Sequence, residues 1–227
     1  MVLVFAQLVD RGARVGDYLG PVLLALVDAA DPLDRLVIGE RASARAWWNS
    51  CSLSGLPLGP TGGAAIVVTR RGAGPRHAAF HPTAPYAYVL NELDSTLTTY
   101  RFDPEGGGLV PLQVITTLPP AFTGDNTTSE IAVAPSGRFV YASNRGHDNI
   151  VIFRVDEAAG VLEPVGWEPT QGRTPRFFTL DPAGAFLYAA NQDSDTIVAF
   201  RVDPQAGTLT PTGQVVSVGS PSSIVFR

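Results

Sequence analysis

Residues 137–156 read Gly-Arg-Phe-Val-Tyr-Ala-Ser-Asn-Arg-Gly-His-Asp-Asn-Ile-Val-Ile-Phe-Arg-Val-Asp, and the chain writes this phrase again at 185–203 and more loosely at 85–103. Pro82, Pro135 and Pro182 correspond, as do Tyr88, Tyr141 and Tyr188, then Asn91, Asn144 and Asn191, then Arg101, Arg154 and Arg201. The copies are offset by 53 and then 47 residues. A period of that size means stacked supersecondary units.

The content of the unit says which kind. The first copy predicts strands at 78–80, 86–90, 96–102 and 109–116, from β-branched enrichment, apolar alternation and intervening Gly, Pro or Asp. After residue 66 no helical stripe of useful length occurs. Four antiparallel strands per unit is the signature of a propeller blade. The expected fold is all-β, a partial propeller of about three and a half blades over 66–227, with another all-β repeat as the alternative. Residues 65–69 read as an outer strand, and 221–226 match the first strand of a further unit.

Residues 1–65 lack the repeat's pattern. They offer a strand-like run at 2–8, an apolar piece at 20–27 that could be a helix, and an irregular patch at 41–51. Two origins fit: a truncated or frame-shifted reading frame, or a divergent cap.

Composition excludes several functions. All 16 basic residues are arginine against 21 acidic ones, for a net charge of -5 without a basic run, which argues against nucleic acid as a partner. The single cysteine, Cys51, has no internal disulfide partner and fits a reducing compartment. The first ten residues lack a basic leader and no apolar run is long enough to span a bilayer, so no membrane partner and a cytoplasmic location are expected. Open propeller edges would invite a homodimer or aggregation.

The chemistry is sought where the copies disagree. In a four-stranded meander the entrance to the first strand and the exit of the second share one face. The entrance pairs are Arg76-His77, Ser129-Glu130 and Arg176-Phe177. At the exit stand Glu92, Arg145 and Gln192, and two residues on Asp94, His147 and Ser194. A repeated framework with a varying rim is what one asymmetric site would need. Arginines can fork onto phosphate or carboxylate oxygens, and a carboxylate or imidazole can take a proton from water. Solvated loop charges paired between blades would read the same way. His81 lies too far along its strand from His77 for the two to chelate a metal, and packs a turn or a blade instead. The glycines at 106–108 read as a hairpin turn, the three repeated asparagines as left-handed turn residues and the three tyrosines as core. Six extra residues near 118–126 form a longer loop that could overhang a pocket.

Gly74-Pro-Arg-His-Ala-Ala-Phe-His-Pro82, Val89-Leu-Asn-Glu-Leu-Asp-Ser95, Ser143-Asn-Arg-Gly-His-Asp148, Thr174-Pro-Arg-Phe177 and Ala190-Asn-Gln-Asp-Ser194 resemble the lactonase family of seven-bladed propellers. That family includes propeller-type 6-phosphogluconolactonases and a fungal carboxy-muconate cyclase. The resemblance runs from about 66 to 227. It implies hydrolysis of an anionic sugar lactone, most often 6-phosphogluconolactone, with no metal and no cofactor. On it, Glu92, His77 and Arg145 are the expected catalytic residues. Arg76 and Arg176 are expected to bind substrate, and the varying rim adds His147, Glu130 and Gln192 to the expected substrate-binding residues. Either Glu92 or His77 would activate water. Residues 1–65 depart from the family, which leaves a non-catalytic binding propeller or an inactive lactonase fragment as the alternative.

Overall fold

A computed structural model describes residues 2–5, 22–28, 35–41, 65–102 and 109–226, with side chains from residue 69 onward. Cys51, most of the patch at 41–51 and the glycines at 106–108 lie outside the described residues.

The three repeats form three four-stranded antiparallel meanders. These are β5 (Pro75–Phe80) to β8 (Leu109–Thr116), β9 (Thr127–Val133) to β12 (Leu162–Pro169), and β13 (Pro175–Leu180) to β16 (Leu209–Ser217). Between them lie β6 (Tyr86–Asn91), β7 (Thr96–Phe102), β10 (Phe139–Arg145), β11 (Asn149–Val155), β14 (Phe186–Asn191) and β15 (Thr196–Val202). The strands of the first copy fall where the sequence predicts them, β5 beginning three residues earlier than expected. The central strands β6 and β10 are buried along nearly their whole length, as strands packed on both faces must be.

Upstream, β1 (Val2–Phe5), β2 (Val22–Asp28), β3 (Arg35–Arg41) and β4 (Ala65–Val68) pair in the same antiparallel order. Over 22–27 the apolar piece is therefore strand rather than helix. Val22-Leu-Leu-Ala-Leu-Val is uniformly apolar, and such a run has no period to separate helix from strand. Pairing with both β1 and β3 decides it.

The sheets stack face to face. Tyr86, Tyr88, Leu90 and Leu97 of the β5–β8 sheet bury against Val140, Val151, Phe153 and Leu162 of the next. Phe139, Tyr141, Ile150 and Ile152 bury against Phe178, Leu187, Val198 and Phe200 of the third. Full burial of each such side chain stabilises by roughly 1.5–3 kcal/mol. Tyr141 also donates its hydroxyl to the Gly207 carbonyl at 2.9 Å. Gly160 and Gly207 lie against the rings of Tyr86 and Phe139, where a Cβ would collide, so these two hairpin glycines key the second and third repeats' sheets to their predecessors.

The asparagines are structural but not left-handed. Ser95, Asp148 and Asp195, four residues after each, carry the positive φ of 54°, 55° and 55°. Asn144 remains in strand and works through its amide. It accepts from Thr117 Oγ1 at 2.7 Å and donates to the Thr117 carbonyl at 3.0 Å. A buried polar side chain at a strand end must find such partners, and a carboxamide can both give and accept.

Candidate active site

The edge strands β5, β9 and β13 run side by side where the three sheets meet. Each departs from regular pairing at the same place. Pro75 pairs with Asn91 but His77 with Leu90, so Arg76 is extra. Pro175 pairs with Asn191 but Phe177 with Ala190, so Arg176 is extra. On β9 the register slips between Ile131 and Thr128, at Ser129 and Glu130. A β-bulge re-aims side chains, and here it lets two consecutive residues, Arg76 and His77, both reach the neighbouring strand.

They reach it in two rows. Arg76 Nε donates to the Ser129 carbonyl at 2.9 Å, and Ser129 Oγ donates to the Arg176 carbonyl at 2.5 Å. One step along, His77 Nδ1 meets Glu130 Oε1 at 2.8 Å. Glu130 is buried, and its amide is satisfied by Ser143 Oγ at 2.9 Å. The exit row closes the cluster. Glu92 accepts from Arg76 Nη1 at 3.0 Å through one oxygen and from Arg145 Nη2 through the other, while the same Arg145 nitrogen donates to the Thr128 carbonyl at 3.0 Å. Burial raises the pKa of the Glu92 carboxyl, but the charge of Arg76 and the hydrogen bonds from Arg145 and Arg76 outweigh it, so the net shift is downward. Glu92 is thus a fixed anion bridging two guanidinium groups.

Of the eight residues named from sequence, Arg76, His77, Glu92, Glu130 and Arg145 are joined by these contacts. Arg176 shares their row through its backbone. Its guanidinium has no hydrogen bond or ion pair among the described residues. Gln192 stands in the register position of Glu92, with a buried side-chain oxygen that no donor among the described residues meets. His147 serves another purpose. Its ring packs edge-on against Phe122 at 4.7 Å, its Nδ1 meets the Asn149 amide, and its backbone amide donates to Asn126 Oδ1 at 3.1 Å. That clasp pins the long loop to the turn between β10 and β11. His81 packs between sheets as expected. Its Nδ1 accepts the Thr83 and Ala84 amides at 3.2 and 2.9 Å, its ring abuts Gly137, and burial lowers its pKa.

Sequence reasoning missed Ser143, Thr174 and Asp148 as supports of this cluster. The recurrence of Asp at 148 and 195 was the available signal. Asp148 Oδ1 accepts the Thr174 amide at 2.9 Å, and Asp195 Oδ1 accepts the Ser220 amide at 2.7 Å. Among the described residues no group of His, Cys, Asp and Glu is arranged to hold a metal ion.

Four-stranded meanders stacked around inner edge strands, with a polar cluster at one end of those strands, define a β-propeller. Residues 58–226 match the family described as "Lactonase, 7-bladed beta-propeller", and the chain belongs to that family. A 6-phosphogluconolactonase of Bacillus subtilis is 44% identical over 110 residues, which is 48% of this chain and 32% of the relative. One from Serratia proteamaculans is 40% identical over 115 residues, 51% of this chain and 34% of the relative. The matched stretch thus spans about a third of the length of these relatives. A periplasmic gluconolactonase of Pseudomonas aeruginosa superposes with a TM-score of 0.68 at 29% identity, over 88% of this chain and 55% of that one. Among the described residues no helix is long and apolar enough to cross a membrane.

Proposed function

We propose that this rim binds and hydrolyses an anionic sugar lactone, 6-phosphogluconolactone being the first candidate, by activating water without a metal. The carrying observation is the His77–Glu130 pair at 2.8 Å beside two guanidinium groups. With Nδ1–H donated to Glu130, His77 presents Nε2 as a base, and Glu130 holds that tautomer and stabilises the imidazolium that forms. Glu92 is the weaker candidate for the base, because both its oxygens are occupied by arginine. Its role is to hold Arg76 and Arg145.

In this reading water attacks the lactone carbonyl while its proton passes to His77 Nε2. Arginine stabilises the resulting oxyanion. Collapse breaks the ring C–O bond, the imidazolium returns the proton to the departing ring oxygen, and the hydroxy acid leaves and loses its carboxyl proton to solvent. Arg176, which has no counter-charge among the described residues, takes the substrate's own anionic group.

The test is acid release from 6-phosphogluconolactone and from gluconolactone above the spontaneous rate. His77→Gln should lower kcat by about 10²–10⁴-fold, the usual contribution of a positioned base. Full activity in His77→Gln would remove the base. No rate above background in the unaltered chain, together with intact binding of 6-phosphogluconate, would favour a binding propeller instead.

A further inference from the structure

Arg76 and Arg176 occupy the same bulge in two repeats but are secured differently. Arg76 is held through its side chain, by Glu92 and by the Ser129 carbonyl. Arg176 has no such hold among the described residues, where its backbone carbonyl accepts from Ser129 Oγ. Two residues before it, Thr174 sits at φ 56°, a left-handed conformation that a β-branched residue rarely adopts. The first repeat uses Gly74 at φ 64° in the corresponding place. Threonine there is strained, and strain of this kind persists only where the surroundings over-determine it.

The surroundings do so. The Thr174 amide donates to Asp148 Oδ1 at 2.9 Å, its hydroxyl to Asp193 Oδ2 at 2.6 Å, and its carbonyl accepts the Gln192 amide at 2.9 Å. Asp148 reaches across from the preceding sheet, and its own carbonyl takes the Thr170 amide at 3.0 Å. The hydroxyl bond to Asp193 is one that glycine could not make.

We infer that Thr174 is a positioning residue: clamped in a left-handed turn by Asp148 and Asp193, it fixes the bulge that carries Arg176 and so sets the affinity of the site for the substrate's anionic group. This rests on the proposed role of Arg176. An unpaired arginine held by a rigid backbone keeps its charge for the ligand, whereas one held by a carboxylate shares it.

The experiment compares Arg176→Ala, Thr174→Val and Thr174→Ser by calorimetric titration with 6-phosphogluconate and by amide hydrogen exchange over residues 174–178. Valine keeps the branched shape and loses the hydroxyl, and serine restores it. Thr174→Val should speed exchange over 174–178 about tenfold and weaken 6-phosphogluconate about fivefold, with Thr174→Ser close to the unaltered protein. Lactone hydrolysis should then show a raised KM with kcat nearly unchanged. Exchange accelerated in Thr174→Val without any loss of affinity, while Arg176→Ala does weaken binding, overturns the positioning role alone. Unchanged exchange in Thr174→Val overturns it as well. Unchanged affinity in Arg176→Ala overturns the anion-holding role of Arg176, and the positioning role falls with it.

Discussion

The second and third sheets are built from nearly the same sequence, yet they end in different circumstances. Phe139 and Tyr141 of the second sheet are buried under the third, with Gly207 keyed against the Phe139 ring. Their counterparts Phe186 and Tyr188 are only partly covered. Phe226 packs edge-on to Tyr188 at 5.5 Å, and Arg201 lies over the Phe186 ring at 5.3 Å. The rim repeats the contrast. Arg145 at the end of the second sheet shares a carboxylate with Arg76, while in the third sheet glutamine stands in the register position of that carboxylate. Where neighbours are complete, side chains are fixed by one another. Arg176 is met through its backbone carbonyl, by Ser129 Oγ.

The packing half of the contrast should show the largest effect. Phe139→Ala should cost about 3–5 kcal/mol in urea unfolding, as a large cavity in a sealed interface does. Phe186→Ala should cost about half that or less, because much of its transfer energy was never gained. Equal losses would mean that the third sheet's outer face is covered as well as the second's.

Exchanging the rim's partners should break the electrostatic half. Gln192→Glu gives Arg176 the counter-charge that Arg76 already has, and should weaken 6-phosphogluconate about tenfold, roughly 1.4 kcal/mol. Glu92→Gln removes the shared anion and should lower kcat/KM by about 10²-fold through misplaced arginines. If both variants bind and turn over like the parent, the two ends of the rim are equivalent after all.

The smallest effect is on pH dependence. The pKa of Glu92 is lowered in the folded chain, so the stability it contributes is present above the unfolded carboxyl pKa of about 4.3 and is lost as pH falls through the lower folded value. Unfolding followed between pH 6 and pH 3 should lose part of its acid sensitivity in Glu92→Gln. An unchanged acid limb would mean that the two arginines do not stabilise the carboxylate.

Much of this was legible in the order of residues. Tyr88 and Tyr141 announced a core, the strands of the first copy emerged almost where they were expected, and Glu92, Arg76 and Arg145 were singled out as neighbours. The errors were local ones. The piece at 20–27 had no period to separate strand from helix, and sheet pairing chose strand. The repeated asparagines suggested left-handed turns, but Ser95, Asp148 and Asp195 took that conformation, since the asparagine amides were needed inside. Glu92 shared candidacy for the base with His77, and what the order of residues did not show is that both its carboxylate oxygens meet arginines.

By itself, the sequence determined the repeat, the strands and their stacking, because strand pairing and face alternation are short-range and written with a period of two. Only the tertiary structure decided which charges meet. His77 finds Glu130 and Arg145 finds Glu92 across 53 residues, through bulges whose direction no alternation pattern encodes. Those encounters depend on the distance between neighbouring edge strands, and Coulomb attraction and hydrogen bonding select partners only after packing has set that distance.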